Sequence, residues 1–276
     1  MKIIGFSQLH NELSNGNLFN WMKCMQEVCD YIYIYDNAST DGSVEYYSKF
    51  ENVRTILSDV NRHSIEGCSD LFGKKALLEK LIHEQPDTDW IFWMDGDTML
   101  DGRLSRELFC EMLMMGDGFG AELICLGHYN LWRSDVYYRT DSLFHNLHIH
   151  GVNALWKNNG FLSFNDEGGL HQKQWPDGMR PFHGEPHQTI LKEAWRGRVN
   201  GFEPSLIHRG FATDSQIVNK YHFYKVGQEG EELERLIRED GLTVERLPAE
   251  VLPSWFEIVD QTNPKHKRRI IEDVFI

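Results

Sequence analysis

Two short stretches hold the residues best placed to do chemistry. In Trp90-Ile91-Phe92-Trp93-Met94-Asp95-Gly96-Asp97-Thr98 an apolar run delivers two carboxylates, separated by one glycine, to its far end. Carboxylates this close repel each other, and a shared cation removes that cost. Oxygen ligands suit Mg²⁺ or Mn²⁺, and such an ion can bridge to a diphosphate. Gly96 would leave the backbone open to approaching phosphates. The plainer reading is an ordinary Asp-Gly turn. The other stretch, Asp36-Asn37-Ala38-Ser39-Thr40-Asp41-Gly42-Ser43, follows a second apolar run and leads into a helix, with Thr40 or Asp41 placed to cap it. Asp36 and Asp41 either make only turn and capping hydrogen bonds, or Asp36 accepts hydrogen bonds from a nucleotide base or ribose.

The elements that must position these turns are legible in the hydrophobic pattern. Residues 2–7 read as a first strand and 18–29 as a helix. Tyr31-Ile32-Tyr33-Ile34-Tyr35 reads as a buried strand, because β-branched and aromatic residues run without a polar break. Residues 43–50 read as a helix and 53–57 as a third strand. In 71–84, Leu77, Leu78, Leu81 and Ile82 recur at helical spacing. Residues 90–94 are then a fourth strand. Helices between successive strands imply right-handed crossovers and a largely parallel sheet, whose ligands gather at the carboxyl ends of its strands. Both carboxylate turns fall there. Beyond about residue 121, pieces such as 122–127 and 143–148 predict mixed or antiparallel strands among long loops. A helix from Glu185 and further helices over 215–224 and 229–240 would pack outside the sheet.

Together the two turns resemble those of family 2 glycosyltransferases of the GT-A fold, which carry a DDxSTD-like turn after the second strand and a DxD-like motif after the fourth. His10-Asn11-Glu12 is similar to the Asn-Glu start common in that family. The motifs follow the family's order through most of residues 1–210, without close identity; Asn37 replaces the family's second Asp. The resemblance implies an α/β GT-A (Rossmann-like) fold with a mixed, mostly parallel central sheet flanked by helices. Residues 1–212 would be the transferase domain, 1–120 its nucleotide-sugar half and 121–212 its acceptor half, with 213–276 a short helical C-terminal extension. It also implies an activity: inverting transfer of a sugar from a nucleotide-diphosphate-sugar to an acceptor hydroxyl, assisted by Mn²⁺ or Mg²⁺. Asp36 would contact the base, Asp97 would ligate the metal, and Asp95 would lie near the ribose or the metal. Arg62 and Lys74 or Lys75 could meet the diphosphate; the alternative for each is a surface charge.

In the same family a Glu-Asp pair opens a helix below the acceptor, and a histidine follows. Gly184-Glu185-Pro186-His187-Gln188 and Leu206-Ile207-His208-Arg209-Gly210 are the counterparts here, with Pro186 where the family has Asp. Pro186 suits a first helical position, leaving Glu185 as an N-cap that the helix N-terminus holds as an anion. Glu185 is therefore the expected base or a structural cap, Asp166 competes for the role, and His187 is a third candidate. His208 would complete the metal shell by resemblance. Residues 209–224, which include Lys220, are placed to form a lid over the diphosphate and exclude water. Trp132, Trp156 and Trp175 either stack on sugar rings or belong to the core.

Composition limits the alternatives. The 276 residues are 41% hydrophobic and 12% aromatic, enough for a substantial core. Lys plus Arg number 28 against 42 Asp plus Glu, a formal charge of −14 that argues against nucleic acid as a partner. Five cysteines without metal-site spacing read as reduced thiols. No apolar stretch spans a membrane, and the opening run is too short for a secretory signal, so the expected setting is cytoplasmic. The acceptor could be a glycan, a lipid-linked sugar, a protein or a small molecule. Two rivals remain: a Mg²⁺-dependent phosphohydrolase of the haloacid dehalogenase type, which also places DxD after an apolar strand, and a non-catalytic nucleotide-sugar binder. A nucleotidyltransferase would call for a Gly-rich nucleotide loop near the N-terminus, which is missing.

Overall fold

Alternation along the strands explains the architecture. In Ile3–Leu9 (β1), Tyr31–Asp36 (β2) and Trp90–Trp93 (β4), successive side chains enter two different apolar clusters. Ile3, Ile32, Ile34, Trp90 and Phe92 face one, while Ile4, Phe6, Tyr33, Tyr35, Ile91 and Trp93 face the other. A sheet buried on both faces needs a helical layer on each side. Leu18–Val28 (α1) and Arg106–Gly118 (α4) cover the first face through Trp21, Met25, Phe109 and Met112. Leu71–Glu84 (α3) covers the second through Leu77, Leu78 and Leu81. Each such large apolar side chain contributes roughly 2–3 kcal/mol by leaving water.

The computed structural model describes residues 1–61, 71–141, 152–160, 162–164, 195–226 and 241–268. Their main sheet runs β3-β2-β1-β4-β8-β6-β10-β5, with β9 beside β6. Here β3 is Val53–Leu57, β5 Thr98–Leu100, β6 Leu123–Asn130, β8 Val152–Lys157, β9 Trp195–Arg196 and β10 Ser205–His208. Pairing is parallel among β3, β2, β1 and β4, and between β6 and β9 or β10; β8 and β5 are antiparallel to their neighbours. The chain thus has the mixed, mostly parallel α/β sheet flanked by helices that the sequence predicts. Tyr137–Arg139 (β7) and Val244–Arg246 (β11) form a separate ribbon.

Ser43–Tyr47 (α2) is shorter than expected, and its N-cap is Gly42, in left-handed backbone at φ 92°, not Thr40 or Asp41. Asp41 instead accepts from the Ser43 N–H at 3.0 Å and the Ser14 N–H at 2.7 Å. Asp214–Val226 (α5) extends the helix expected over 215–224. Beyond it, the described part of the C-terminal segment contributes β11 and two 3-10 turns, Ala249–Val251 and Pro264–His266. The helix expected over 229–240 and the strand over 143–148 lie outside the described residues.

The C-terminal segment is fastened to the root of α5. Arg133 is buried with its backbone at φ 49°, and its guanidinium holds Asp214 at 2.7 and 3.1 Å. It also donates to the Arg268 carbonyl, while Lys267 reaches the Arg133 carbonyl and the Asp260 carboxylate. Asp135 accepts from the Val259 and Asp260 N–H groups. The described cysteines, Cys24, Cys29, Cys110 and Cys125, are free thiols. Among the described residues no helix is long and apolar enough to cross a membrane.

Candidate functional site

The carboxyl ends of β1, β2 and β4 lie side by side, so both carboxylate turns share one edge with the loop after β1. Leu9 pairs with Asp36 in register. On the other side, a side chain at Gly96 would meet Leu9 Cδ2 at 2.6 Å and Glu12 Cγ at 2.8 Å. Glycine is required there so that the turn can pack on the β1 loop; the open approach expected for phosphate is filled by Leu9 and Glu12. Trp21 Nε1 donates to the Met94 carbonyl at 2.9 Å and fixes where β4 ends.

Beyond this turn the chain enters β5, three residues that local periodicity does not reveal. Its antiparallel register places Thr98 opposite His208, and the parallel register of β10 with β6 places His208 opposite Asn130. Asp97, in the turn just before β5, is thereby aligned with His208 on β10 and Asn130 on β6. His208 Nε2 lies 3.1 Å from Asp97 Oδ2, and His208 Nδ1 lies 2.8 Å from Asn130 Oδ1. Asn130 Nδ2 in turn meets His128 Nδ1 at 3.2 Å, and the two imidazoles stack with centroids 5.3 Å apart. From α5, Lys220 Nζ reaches Asp97 Oδ2 at 2.9 Å and His208 Nε2 at 3.1 Å. The Asp97 backbone is tied to the same loop, its carbonyl accepting from the Arg209 N–H at 2.8 Å.

Burial alone would raise the Asp97 carboxyl; the charges and hydrogen bonds of His208 and Lys220 outweigh it and hold the group well below the usual carboxylate range. Glu12 shows the reverse. Burial, and then the charge of Asp97, push its carboxyl up to about 7, against opposing effects from Asn17 and Lys220. Asn17 Nδ2 donates to Glu12 Oε2 at 3.0 Å. Two carboxylates near one another thus differ sharply in acidity: Asp97 holds its charge at neutral pH, whereas Glu12 is close to its midpoint there.

Of the residues singled out from sequence, the fold brings together Asp97, His208 and Lys220. Asp95 is exposed and faces other partners: its Oδ1 accepts from Trp93 Nε1 at 2.8 Å. Lys74 is buried with its ammonium 4.4 Å from the Trp93 ring centre, a cation–π contact that leaves it beside the Asp95 anchor and not on the surface. Asp36 is 2% exposed; Oδ1 accepts from the Ser39 N–H and Oδ2 from the Tyr47 hydroxyl, both at 2.8 Å. Any nucleotide contact by this carboxylate would be additional to those bonds. Trp132 and Trp156 are core residues, fully shielded from solvent, and offer no face to a sugar. Arg62, Asp166, Trp175 and Glu185 lie outside the described residues.

Sequence reading gave no role to Glu12, Asn130, His128 or Trp93. The first was visible in His10-Asn11-Glu12, but nothing local shows its packing on Gly96. Asn130 and His128 acquire meaning only through the β6–β10 register.

Asp97 and His208 together could offer a divalent ion two of its ligands. Asp97 offers oxygen, His208 nitrogen, and Asn130 orients the imidazole as second-sphere groups do at metal centres. Gly210 keeps the space open: a Cβ there would lie 2.4 Å from Asp97 Oδ2, 2.6 Å from His208 Nε2 and 2.2 Å from Lys220 Nζ. The described residues contain no group of three or more His, Cys, Asp and Glu side chains set to hold a metal. Further ligands would have to come from elsewhere.

No family model matches the chain, and no curated protein matches it. Among solved structures it is similar to the crystal structure of a 4-diphosphocytidyl-2C-methyl-D-erythritol synthase. The alignment covers 96% of this chain and 95% of that one, at 14% identity and a TM-score of 0.35. At that level no residue role carries over, and what the fold and site themselves define is an α/β protein with a polar Asp97–His208–Lys220 cluster at its strand ends.

Proposed function

We propose that this protein is a glycosyltransferase that moves a sugar from a nucleotide-diphosphate-sugar to an acceptor hydroxyl with the help of Mn²⁺ or Mg²⁺. The observation that carries this reading is the convergence of Asp97 and His208 on a space that only glycine at position 210 keeps open. It lies at the strand ends where α/β sheets bind ligands. A divalent ion held by Asp97 and His208 would supply positive charge against the charge growing on the departing nucleoside diphosphate.

This chain's own residues do the rest. Asn130 keeps the His208 Nδ1–H engaged so that Nε2 can face the ligand. Asp95, anchored by Trp93, is left exposed at the rim for a ribose or an ion-bound water. Asp36 orders the Ser39 turn and Tyr47 below the nucleotide. Glu185 or Asp166 is proposed to take the acceptor proton as the hydroxyl attacks the anomeric carbon, with inversion.

A thermal-shift panel of nucleotide sugars, each with and without Mn²⁺, tests this. One donor should stabilise the protein only with the ion present, by about 2.7 kcal/mol at a hundredfold excess over its Kd. A panel in which no donor responds to the ion would overturn the reading. Phosphate release from simple esters would instead favour the phosphohydrolase. Metal-dependent donor binding with neither hydrolysis nor transfer would select the non-catalytic binder.

A further inference from the structure

We propose that Lys220 and the divalent ion are alternative occupants of one cradle, so that Lys220 sets how readily the protein takes up metal. This rests on the reading that Asp97 and His208 hold that ion. The Lys220 ammonium already touches both groups, at 2.9 Å from Asp97 Oδ2 and 3.1 Å from His208 Nε2, and lies 4.8 Å from the centre of the Phe211 ring. A Cβ on residue 210 would collide with all three polar atoms, so the space holds one small cationic group.

Lone-pair counting makes the two occupants exclusive. The Nδ1 side of His208 is committed to Asn130 Oδ1, which leaves Nε2 as the ligating atom. That nitrogen has one lone pair. It can accept a hydrogen bond from Lys220, bind a metal, or carry a proton toward Asp97, but only one of these at a time. An ammonium beside a dication on the same carboxylate oxygen is repelled as well. Metal entry must therefore expel the Lys220 head group. Its four-carbon stem can swing while α5 stays packed through Ile217 and Tyr221, which are buried against Trp132 and Phe211.

The device has a use. In the absence of metal, the partly buried Asp97 charge is neutralised by the chain itself and the cradle does not collapse. When metal arrives, one flexible cation is released at the rim of the same site, next to where a diphosphate would lie.

The test is Mn²⁺ uptake, read from the electron paramagnetic resonance signal of free Mn²⁺, in the wild type, Lys220→Met and Asp97→Asn. Methionine keeps the apolar stem against Phe211 and removes the charge. Lys220→Met should bind Mn²⁺ about tenfold more tightly than the wild type, and Asp97→Asn should lose binding. Equal or weaker binding by Lys220→Met would overturn the inference while leaving the metal reading intact. No uptake by either the wild type or Lys220→Met would sink both.

A second measurement needs no variant. Mn²⁺ without donor should raise the acetylation of Lys220 by acetic anhydride severalfold in peptide mass spectra, relative to the other lysines. Labelling that is unchanged or lower would count against displacement.

Discussion

Asp36 and Asp97 both follow buried parallel strands on the same edge of the sheet, but their surroundings differ in kind. Asp36 is closed off from solvent, and neutral donors of the protein, the Tyr47 hydroxyl and the Ser39 amide, occupy its two oxygens. Asp97 keeps 17% of its side chain exposed, and one oxygen is shared by a lysine and a histidine that reach it from distant parts of the chain. A carboxylate satisfied by local neutral donors shapes a turn. One whose oxygen is shared by a lysine ammonium and an imidazole, with solvent access and a deleted Cβ beside it, is equipped to trade those partners for a ligand. Sequence alone makes the two aspartates look alike; the donors around each tell them apart.

The largest effect that should separate them is on activity. Asp97→Ala removes the group through which the ion would act, and transfer should fall by about 10³-fold or more with little change in urea unfolding. Transfer within tenfold of the wild type would erase the distinction. Asp36→Ala should do the opposite, leaving the Tyr47 hydroxyl and the Ser39 amide unpaired in a buried place. A loss of about 3 kcal/mol in unfolding free energy is expected, with donor affinity of the folded protein nearly kept. A stable variant with abolished donor binding would show that Asp36 touches the nucleotide after all.

Glu12 sharpens the comparison through pH. Its folded-state value of about 7 lies above the 4.5 of an unperturbed glutamate. Both states are protonated below about pH 4.5, where its contribution to stability is fully present. As pH rises, the unfolded chain ionises first, so stability falls and the contribution is lost on passing the folded value. Urea unfolding at pH 5 and pH 8 should show a decrease of about 2 kcal/mol in the wild type, reduced in Glu12→Gln. An identical pH slope in the two proteins would remove Glu12 from the Asp97 environment. The smallest effect is at Trp93→Phe, which deletes the indole donor to Asp95. With the buried ring volume lost alongside the hydrogen bond, about 1–2 kcal/mol of stability should go, seen in the same unfolding assay.

What the chain discloses before folding follows from how local each determinant is. The strands β1, β2 and β4 and helices α1 and α3 announce themselves because a strand buried on both faces, or a helix with one apolar stripe, is written in consecutive residues. Helix α4 was legible too: Ser105 caps it by accepting from the Leu108 N–H, and Phe109, Met112, Leu113 and Gly116 repeat at helical spacing. The three residues of β5 could not be seen, since their strand character comes from pairing with β10. The contact of Asp97 with His208 depends on that pairing, across 111 residues of sequence. Their common site was reached from motif order, while its internal geometry, including Lys220 and Asn130, required the fold. Aromatic richness misled in the other direction, for Trp132 and Trp156 lie in the interior.

The guanidinium of Arg133 joins two parts of the molecule directly. One side grips Asp214 in the first turn of α5; the other receives the tail near Arg268. Mechanical load on the tail, from a fused partner or an affinity tag, would be felt at the root of the helix that presents Lys220. Tags at the amino end avoid that lever, and differences in metal uptake between the two tag positions would report how stiff it is.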